Sequence, residues 1–270
     1  MKQTILGLRA ETQIHAGTGQ NTGVIDMPIQ REAHTDYPCI FGSAVKGAFR
    51  AHAEIRAKWG KEGKIKEVFG TADGDGSASQ IAMTDARLLL LPVRSLTGHF
   101  KLVTCPAILH RLKRDMAMMG MEAEWKVPAP NAQQVFGAAD GELFLEEFKF
   151  TQSKTDLSAI ITLLESFGAE NIASQLLIMA DEDFAWFAKN ATAVTPHIAI
   201  DSETKTVKPG ALWYEETLPS DTLLYTMLLG KKEHVEAVTG MFSGDKNFVQ
   251  IGGNETVGMG WCKVCEVPHV

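Results

Sequence analysis

The longest unbroken aliphatic run in the chain is Leu88–Leu91, inside the segment QIAMTDARLLLLPV. Four leucines cannot cross a bilayer, which takes about 20 apolar residues in a helix. The run reads instead as a buried strand, and the elements around it alternate in type. Thr4 to His15 reads as a first strand, with Ile5, Gly7, Arg9 and Glu11 on one face and Leu6, Leu8 and Ala10 on the other. SAVKGAFRAHAEIRAKW predicts a helix with Ser43 as its N-cap and Val45, Phe49, His52 and Ile55 facing inward. CPAILHRLKRDMAMMG predicts a helix opened by Pro106, and DEDFAWFAKN one capped by Asp181 or Asp183. KTDLSAIITLLESFG and KEHVEAVTGMF are helical, GELFLEEFKF and TLLYTMLLG are strands, and GTADGDGSAS is a loop. TPHIAIDSETKTVKPGALWYEETLP has two extended arms joined by a polar turn, and NFVQIGGNETVGMGWCKVCEV two strands around a glycine-rich bend. With no internal repeat, this mixture predicts one α+β domain over residues 1–270.

Composition narrows the function classes. The 270 residues are 45% hydrophobic, enough for a substantial core, and the net charge of −7 argues against indiscriminate coating of nucleic acid. Any polyanion must meet local patches, and two exist. Ser43–Lys66 carries seven Lys or Arg against two acids, and Arg94–Arg114 carries five and no acid. Cys262 and Cys265 have C-x-x-C spacing without the second ligand pair a structural zinc needs, so the four cysteines are expected to be reduced and buried. The N-terminal MKQTILGLRAETQIHAG lacks a signal-peptide core, which predicts a soluble, cytoplasmic protein with no membrane partner.

Three features could carry chemistry. Lys46 falls in the first turn of its helix, where the macrodipole disfavours a cation; an anion bound at that helix start would explain it, with Ser43 beside it and Arg50 one turn on. A solvated lysine explains it equally well. The bend with Gly252, Gly253, Gly258 and Gly260 could form an anion nest or simply a wide turn. Asp26 sits among apolar residues before Pro28, and a glycine-studded loop could bring it near His15. Such a pair suits hydrolytic or transesterification chemistry, although a loop-capping aspartate needs no function at all.

Read in order, IHAGTG, VIDMPIQRE, YPCIFGSAVKGAFR, DARLLLLPVRSLTGHFKLVTCPAILHRLKRD, LLIMADEDF, WYEETLPSDTLLY and IGGNETVGMGW resemble the RAMP superfamily of CRISPR proteins, specifically the backbone subunit of type III-B (Cmr) effector complexes. The resemblance implies a ferredoxin-like (RRM-like) palm with inserted helical segments and a projecting β-hairpin thumb at about 193–220. It implies copies stacked along a guide CRISPR RNA beside other Cmr subunits, cutting complementary target RNA with a divalent metal, Mg2+ or Mn2+. By position it makes Asp26 the catalytic and possible metal-binding acid and His15 its supporting residue. It places Tyr214, Glu215 or Glu216 near the cleavage site, and gives guide contacts to Lys46, Arg50, Ser43 and the glycines at 252, 253, 258 and 260. Ala44 replaces a serine usual in the family's motif. The competing readings are a non-catalytic RNA scaffold, a guide-processing ribonuclease and a small-molecule hydrolase. The last lacks a nucleophile elbow or a metal-ligand cluster.

Overall fold

The computed structural model describes residues 1–60, 63–71, 78–122, 124–244 and 247–268. The chain opens with β1 (Lys2–Ala10), β2 (Cys39–Ile40), α1 (Gly42–Ile55), α2 (Lys64–Phe69), β3 (Ile81–Met83) and β4 (Ala86–Ser95). Then come β5 (His99–Thr104), α3 (Pro106–Met118), β6 (Gln134–Gly137), β7 (Gly141–Leu145), β8 (Phe148–Lys154), α4 (Ser158–Ser166), β9 (Leu176–Met179) and α5 (Asp181–Asn190). It closes with β10 (Ala193–Ile200), β11 (Val207–Thr217), β12 (Leu223–Gly230), α6 (Lys232–Thr239), β13 (Phe248–Gln250) and β14 (Trp261–Glu266).

The strand order β13-β14-β1-β12-β4 is antiparallel throughout, with β1 pairing β12 from Lys2↔Gly230 to Arg9↔Leu223. β1 is buried on both faces, because Leu6 and Leu8 join one core with Val45 and Phe49 of α1 and Val235 of α6, while Ile5 joins a second core beneath α3, α4 and α5. Gly7 is where the second layer presses closest: a Cβ there would lie 1.9 Å from the Phe167 carbonyl oxygen. β4 leaves β12 and pairs β5, and the order β5-β9-β6-β8-β7 returns to β4 through Ser95↔Leu145. The run Leu88–Leu91 is fully buried at this junction. β10 and β11 form a separate two-stranded ribbon, from Ala193↔Thr217 to Ile200↔Val207.

Several local expectations are corrected. The first strand ends at Ala10, and His15 lies in irregular chain beyond it. Phe41, not Ser43, is the N-cap of α1; its carbonyl accepts from the N–H groups of Ala44 and Val45, while the Asp85 carboxylate accepts from the Gly42 N–H at 2.7 Å. That anion already lies against the positive end of the helix. The inward face is Val45, Phe49 and Ala53, whereas Ile55 is exposed. GELFLEEFKF is two strands, β7 and β8, joined by a turn in which Glu146 takes φ 48°. Ala180 is the N-cap of α5; Asp181 instead accepts from the Ala107 N–H of α3, and Asp183 from that of Gln133. The loop expected at Gly70–Ser79 falls partly outside the described residues.

Candidate functional site

β11 pairs β10 along one edge and leaves the other edge to the segment from Ile14 to Ile29. Residues 214, 216 and 218 present their backbone groups there, and each is met in turn. The Tyr214 N–H donates to Asp26 Oδ2 at 2.7 Å, and the Tyr214 carbonyl accepts from the Met27 N–H at 3.0 Å. The Glu216 N–H donates to the Met27 carbonyl at 3.0 Å, and the Glu216 carbonyl accepts from His15 Nδ1 at 2.8 Å. Leu218 exchanges both of its bonds with Ile14. Two side chains, Asp26 and His15, thus replace backbone groups in an otherwise strand-like pairing, which satisfies a sheet edge and fixes both residues.

Asp26 closes a small loop. The Asn21 N–H donates to the Asp26 carbonyl at 2.8 Å, and the loop is closed below by the Thr18 N–H on the Pro28 carbonyl at 3.0 Å. The residue is half-exposed, and with Oδ2 committed its other carboxylate oxygen is the one available for chemistry. His15 is buried. A carbonyl cannot donate, so Nδ1 carries the proton and, in the neutral ring, Nε2 keeps its lone pair. The ring lies between two glycines: a Cβ on Gly17 would fall 2.5 Å from Nε2, and one on Gly253 3.5 Å from Cδ2.

The three residues after Trp213 differ in role. The Tyr214 ring is exposed, and it is the backbone of this residue that holds Asp26. Glu215 is buried, with Oε1 accepting from Asn254 Nδ2 and lying 3.6 Å from His15 Nδ1. Glu216 is committed elsewhere. Oε1 meets Arg31 at 2.5 Å and Thr192 Oγ1 at 2.6 Å, and Oε2 accepts the Ile29 N–H at 3.0 Å. Arg31 also donates to the Asp36 and Ala188 carbonyls. This arrangement makes Glu216 a clamp between the Asp26 loop and the ribbon, with no free oxygen for substrate.

The glycine bend packs on the same unit. The Gly253 N–H donates to the His15 carbonyl at 2.9 Å, and a Cβ on Gly252, at φ 90°, would lie 2.4 Å from that oxygen. Gly260 is equally confined, since a Cβ there would lie 2.2 Å from the Ile251 carbonyl oxygen, whereas one on Gly258 would face open space. Internal fit therefore demands glycine at 252 and 260, while Gly253 is in ordinary contact with the His15 ring, and Gly252, Gly253 and Gly258 all have exposed surface.

Lys46 and Arg50 lie apart, on α1. Both are half-buried; Arg50 donates to the Gly70 carbonyl at 2.9 Å, while Lys46 pairs with no carboxylate among the described residues. Its pKa is pulled below the ordinary lysine value by burial and then by Arg50. Ser43 is exposed beside it. In the second basic island Arg94 pairs with Glu146, Arg111 Nη1 donates to both carboxylate oxygens of Glu32, and Lys101 and Lys113 donate to the Ser174 and Trp125 carbonyls.

Among the described residues no three or more His, Cys, Asp or Glu side chains converge as a metal cage, and no helix is long and apolar enough to cross a membrane. Asp26 offers a single carboxylate oxygen. That donor suits a Mg2+-like ion that keeps its waters and shares the rest of its shell with phosphate. All four cysteines are free thiols; Cys262 lies in the core, where burial pushes its pKa up to about 12.

Sequence reading named Asp26, His15 and Lys46 but missed Arg31, Asn254 and Asp85. Arg31 and Asn254 lie within PIQRE and GGNE, and a buried carboxylate in each case explains them.

Residues 8–263 match the model of the RAMP superfamily. A relative named CRISPR system Cmr endoribonuclease Cmr4, from Pyrococcus furiosus, is 37% identical over 285 residues, covering 98% of this chain and 95% of its own. A crystal structure of oligomeric Cmr4 from Pyrococcus furiosus superposes with a TM-score of 0.79 at 31% identity, covering 99% of each chain. The fold also matches a chain in the cryo-EM structure of a type III-B Cmr-beta complex bound to cognate target RNA, with a TM-score of 0.82 at 22% identity over 99% of this chain and 98% of that one.

Proposed function

This chain belongs to the RAMP superfamily, and on that footing we propose that it is the backbone endoribonuclease subunit of a cytoplasmic type III-B Cmr complex. It stacks with further copies of itself and other Cmr subunits along a guide CRISPR RNA and cuts the paired target RNA. The unit β14-β1-β12-β4, with α1 and α6 on one face, reads as the ferredoxin-like palm, and the β10–β11 ribbon as the thumb.

One observation carries the reading: Asp26 is held at the root of that ribbon through one oxygen while the other stays free. A ribbon wedged into a paired strand unstacks a nucleotide at a cost of a few kcal/mol. The linkage beside it can then adopt in-line geometry. The neighbouring 2′-hydroxyl attacks phosphorus, the 5′-oxygen leaves and takes a proton from water, and the products are a 2′,3′-cyclic phosphate and a 5′-hydroxyl. The free oxygen of Asp26 takes the hydroxyl proton or holds a divalent ion. Such an ion, Mg2+ or Mn2+, would supply charge stabilisation on the phosphate. His15 stiffens the loop, with Nε2 retained as a proton acceptor. Glu215 holds the glycine bend to the same strand, and Lys46, Arg50 and Ser43 face the guide backbone.

The test is Asp26→Asn in the reconstituted complex. The amide oxygen still accepts from the Tyr214 N–H, so assembly and target binding persist. Cleavage falls by about 10²–10⁴-fold, as for loss of a positioned acid–base group. Unchanged cutting would return the chain to the scaffold reading, and specific cutting of precursor repeat RNA would favour a guide-processing enzyme.

A further inference from the structure

A groove of about 910 Å³ lies between the C-terminal end of α1, α2, α6 and β14, and no residue of the Asp26 unit lines it. Cations and aromatic rings make up about half of its lining. Arg56 sits over the Trp261 ring at 5.6 Å from the centroid, and Lys64 over the Trp59 ring at 4.0 Å. Phe248 is 37% exposed on its wall, and Lys58 and His52 line it as well. The acid in the lining, Glu236, already faces Lys2 and Lys232. Arg56, Lys58 and Lys64 are exposed and pair with no carboxylate among the described residues. A cavity of about 60 Å³ that shares His52, Arg56 and Trp261 continues the groove to Gln250 and Glu255 on the glycine bend.

We propose that this groove is a second RNA-contacting site of the chain, taking an unpaired stretch of ribonucleotides whose bases stack on Trp59 and Trp261 while Arg56, Lys58 and Lys64 meet the phosphates. Aromatic faces flanked by cations are the arrangement that holds single strands without reading their sequence. A guanidinium or ammonium over an indole is itself a stacking or phosphate-seeking group. The free chain parks two cations on the ring faces. A base displaces or sandwiches them, and each displaced cation swings to the adjacent phosphate. A protein partner fits less well, because several unpaired cations in one groove would have to be desolvated against it. The inference rests on the reading of the chain as a guide-RNA binder, and it extends the strand's path from the glycine bend along α1.

The test compares Arg56→Gln/Lys64→Gln with Lys46→Ala, each in the purified full chain, using a fluorescein-labelled unstructured oligouridine as probe. The double variant is expected to bind roughly fivefold more weakly, with a salt slope shallower by about 1–2. A 4-thiouridine version of the probe is expected to crosslink to Trp59 or Trp261 in the unsubstituted chain. Unaltered affinity and slope with no such crosslink, while Lys46→Ala weakens binding, overturns this site and leaves the guide-binding reading standing. If neither substitution matters, both readings fall. If the double variant changes oligomeric state without RNA and leaves RNA affinity intact, the groove is an interface between copies and the proposal is wrong. Circular dichroism on each variant guards against misfolding, and Phe248→Ser, which leaves the cations in place, is expected to weaken probe binding without moving the slope.

Discussion

The Asp26 unit and the start of α1 are both polar, and the proposed function gives RNA to both, yet they are built on opposite plans. At the root of the ribbon every group on the free edge of β11 from Tyr214 to Leu218 has a partner, and two buried carboxylates are tied to Arg31 and Asn254. On α1, Lys46 has no acid, and Ser43 and Arg50 line a surface open to solvent. Chemistry needs one oxygen placed to within a fraction of an ångström, whereas a polyanion needs only positive charge within reach. The first region should therefore respond to substitution through stability and rate, and the second through ionic strength and pH.

The largest effect should come from breaking the clamp. Arg31→Met leaves Glu216 buried at 2% exposure with no cation, and is expected to lower unfolding free energy by about 3–5 kcal/mol. Urea denaturation measures this. Replacing both members, Arg31→Met with Glu216→Leu, should recover much of the loss, because the cost lies in the stranded charge. A loss unchanged in the double variant would mean the pair orients the Asp26 loop for stability by some route other than charge balance.

Next come the glycines, which divide the bend itself. Gly252→Ala adds a Cβ 2.4 Å from the His15 carbonyl at φ 90°, and is expected to cost about 1–3 kcal/mol and to disturb cleavage through His15. Gly258→Ala, at φ 86° but in open space, should cost only about 1–2 kcal/mol of backbone preference and leave cleavage intact in the absence of RNA contact. Equal costs, measured by thermal unfolding, would show that the close approach to His15 relaxes readily.

Much of this was legible in the chain. The intermixed strands and helices, the ribbon arms and the glycine bend follow from hydrophobic period and turn residues, and α3 begins at Pro106 as that residue dictates. What escaped was decided by tertiary partners. Ser43 has the chemistry of an N-cap, but Asp85, 42 residues away, lies against the helix start and the N-cap falls two residues earlier, at Phe41. Asp181 looks like the cap of its own helix but serves α3. Glu215 and Glu216 are neighbours of identical type, and nothing local says that one faces Asn254 and the other Arg31. The charge count over Arg94–Arg114 likewise says nothing of pairing: Arg111 meets Glu32 and Arg94 meets Glu146.

The smallest effects belong to Lys46 and test the open side of the contrast. Lys46→Ala should weaken guide binding severalfold and flatten the slope of log affinity against log salt by about 1. Its pH dependence has a definite sign. Burial and Arg50 hold the free lysine's pKa below the ordinary value. A phosphate restores the charged form, so binding takes up a proton wherever the pH lies near or above the free pKa. Affinity should therefore fall as pH rises through that lowered value, at a lower pH than an ordinary lysine would give, and level off above the pKa of the bound state. Affinities across the alkaline range below the ordinary lysine pKa, compared with Lys46→Arg, separate the cases. The arginine keeps its charge over that range and should show a flatter profile. If both chains lose affinity in parallel, the titrating group lies elsewhere, and α1 would be as internally committed as the root of the ribbon.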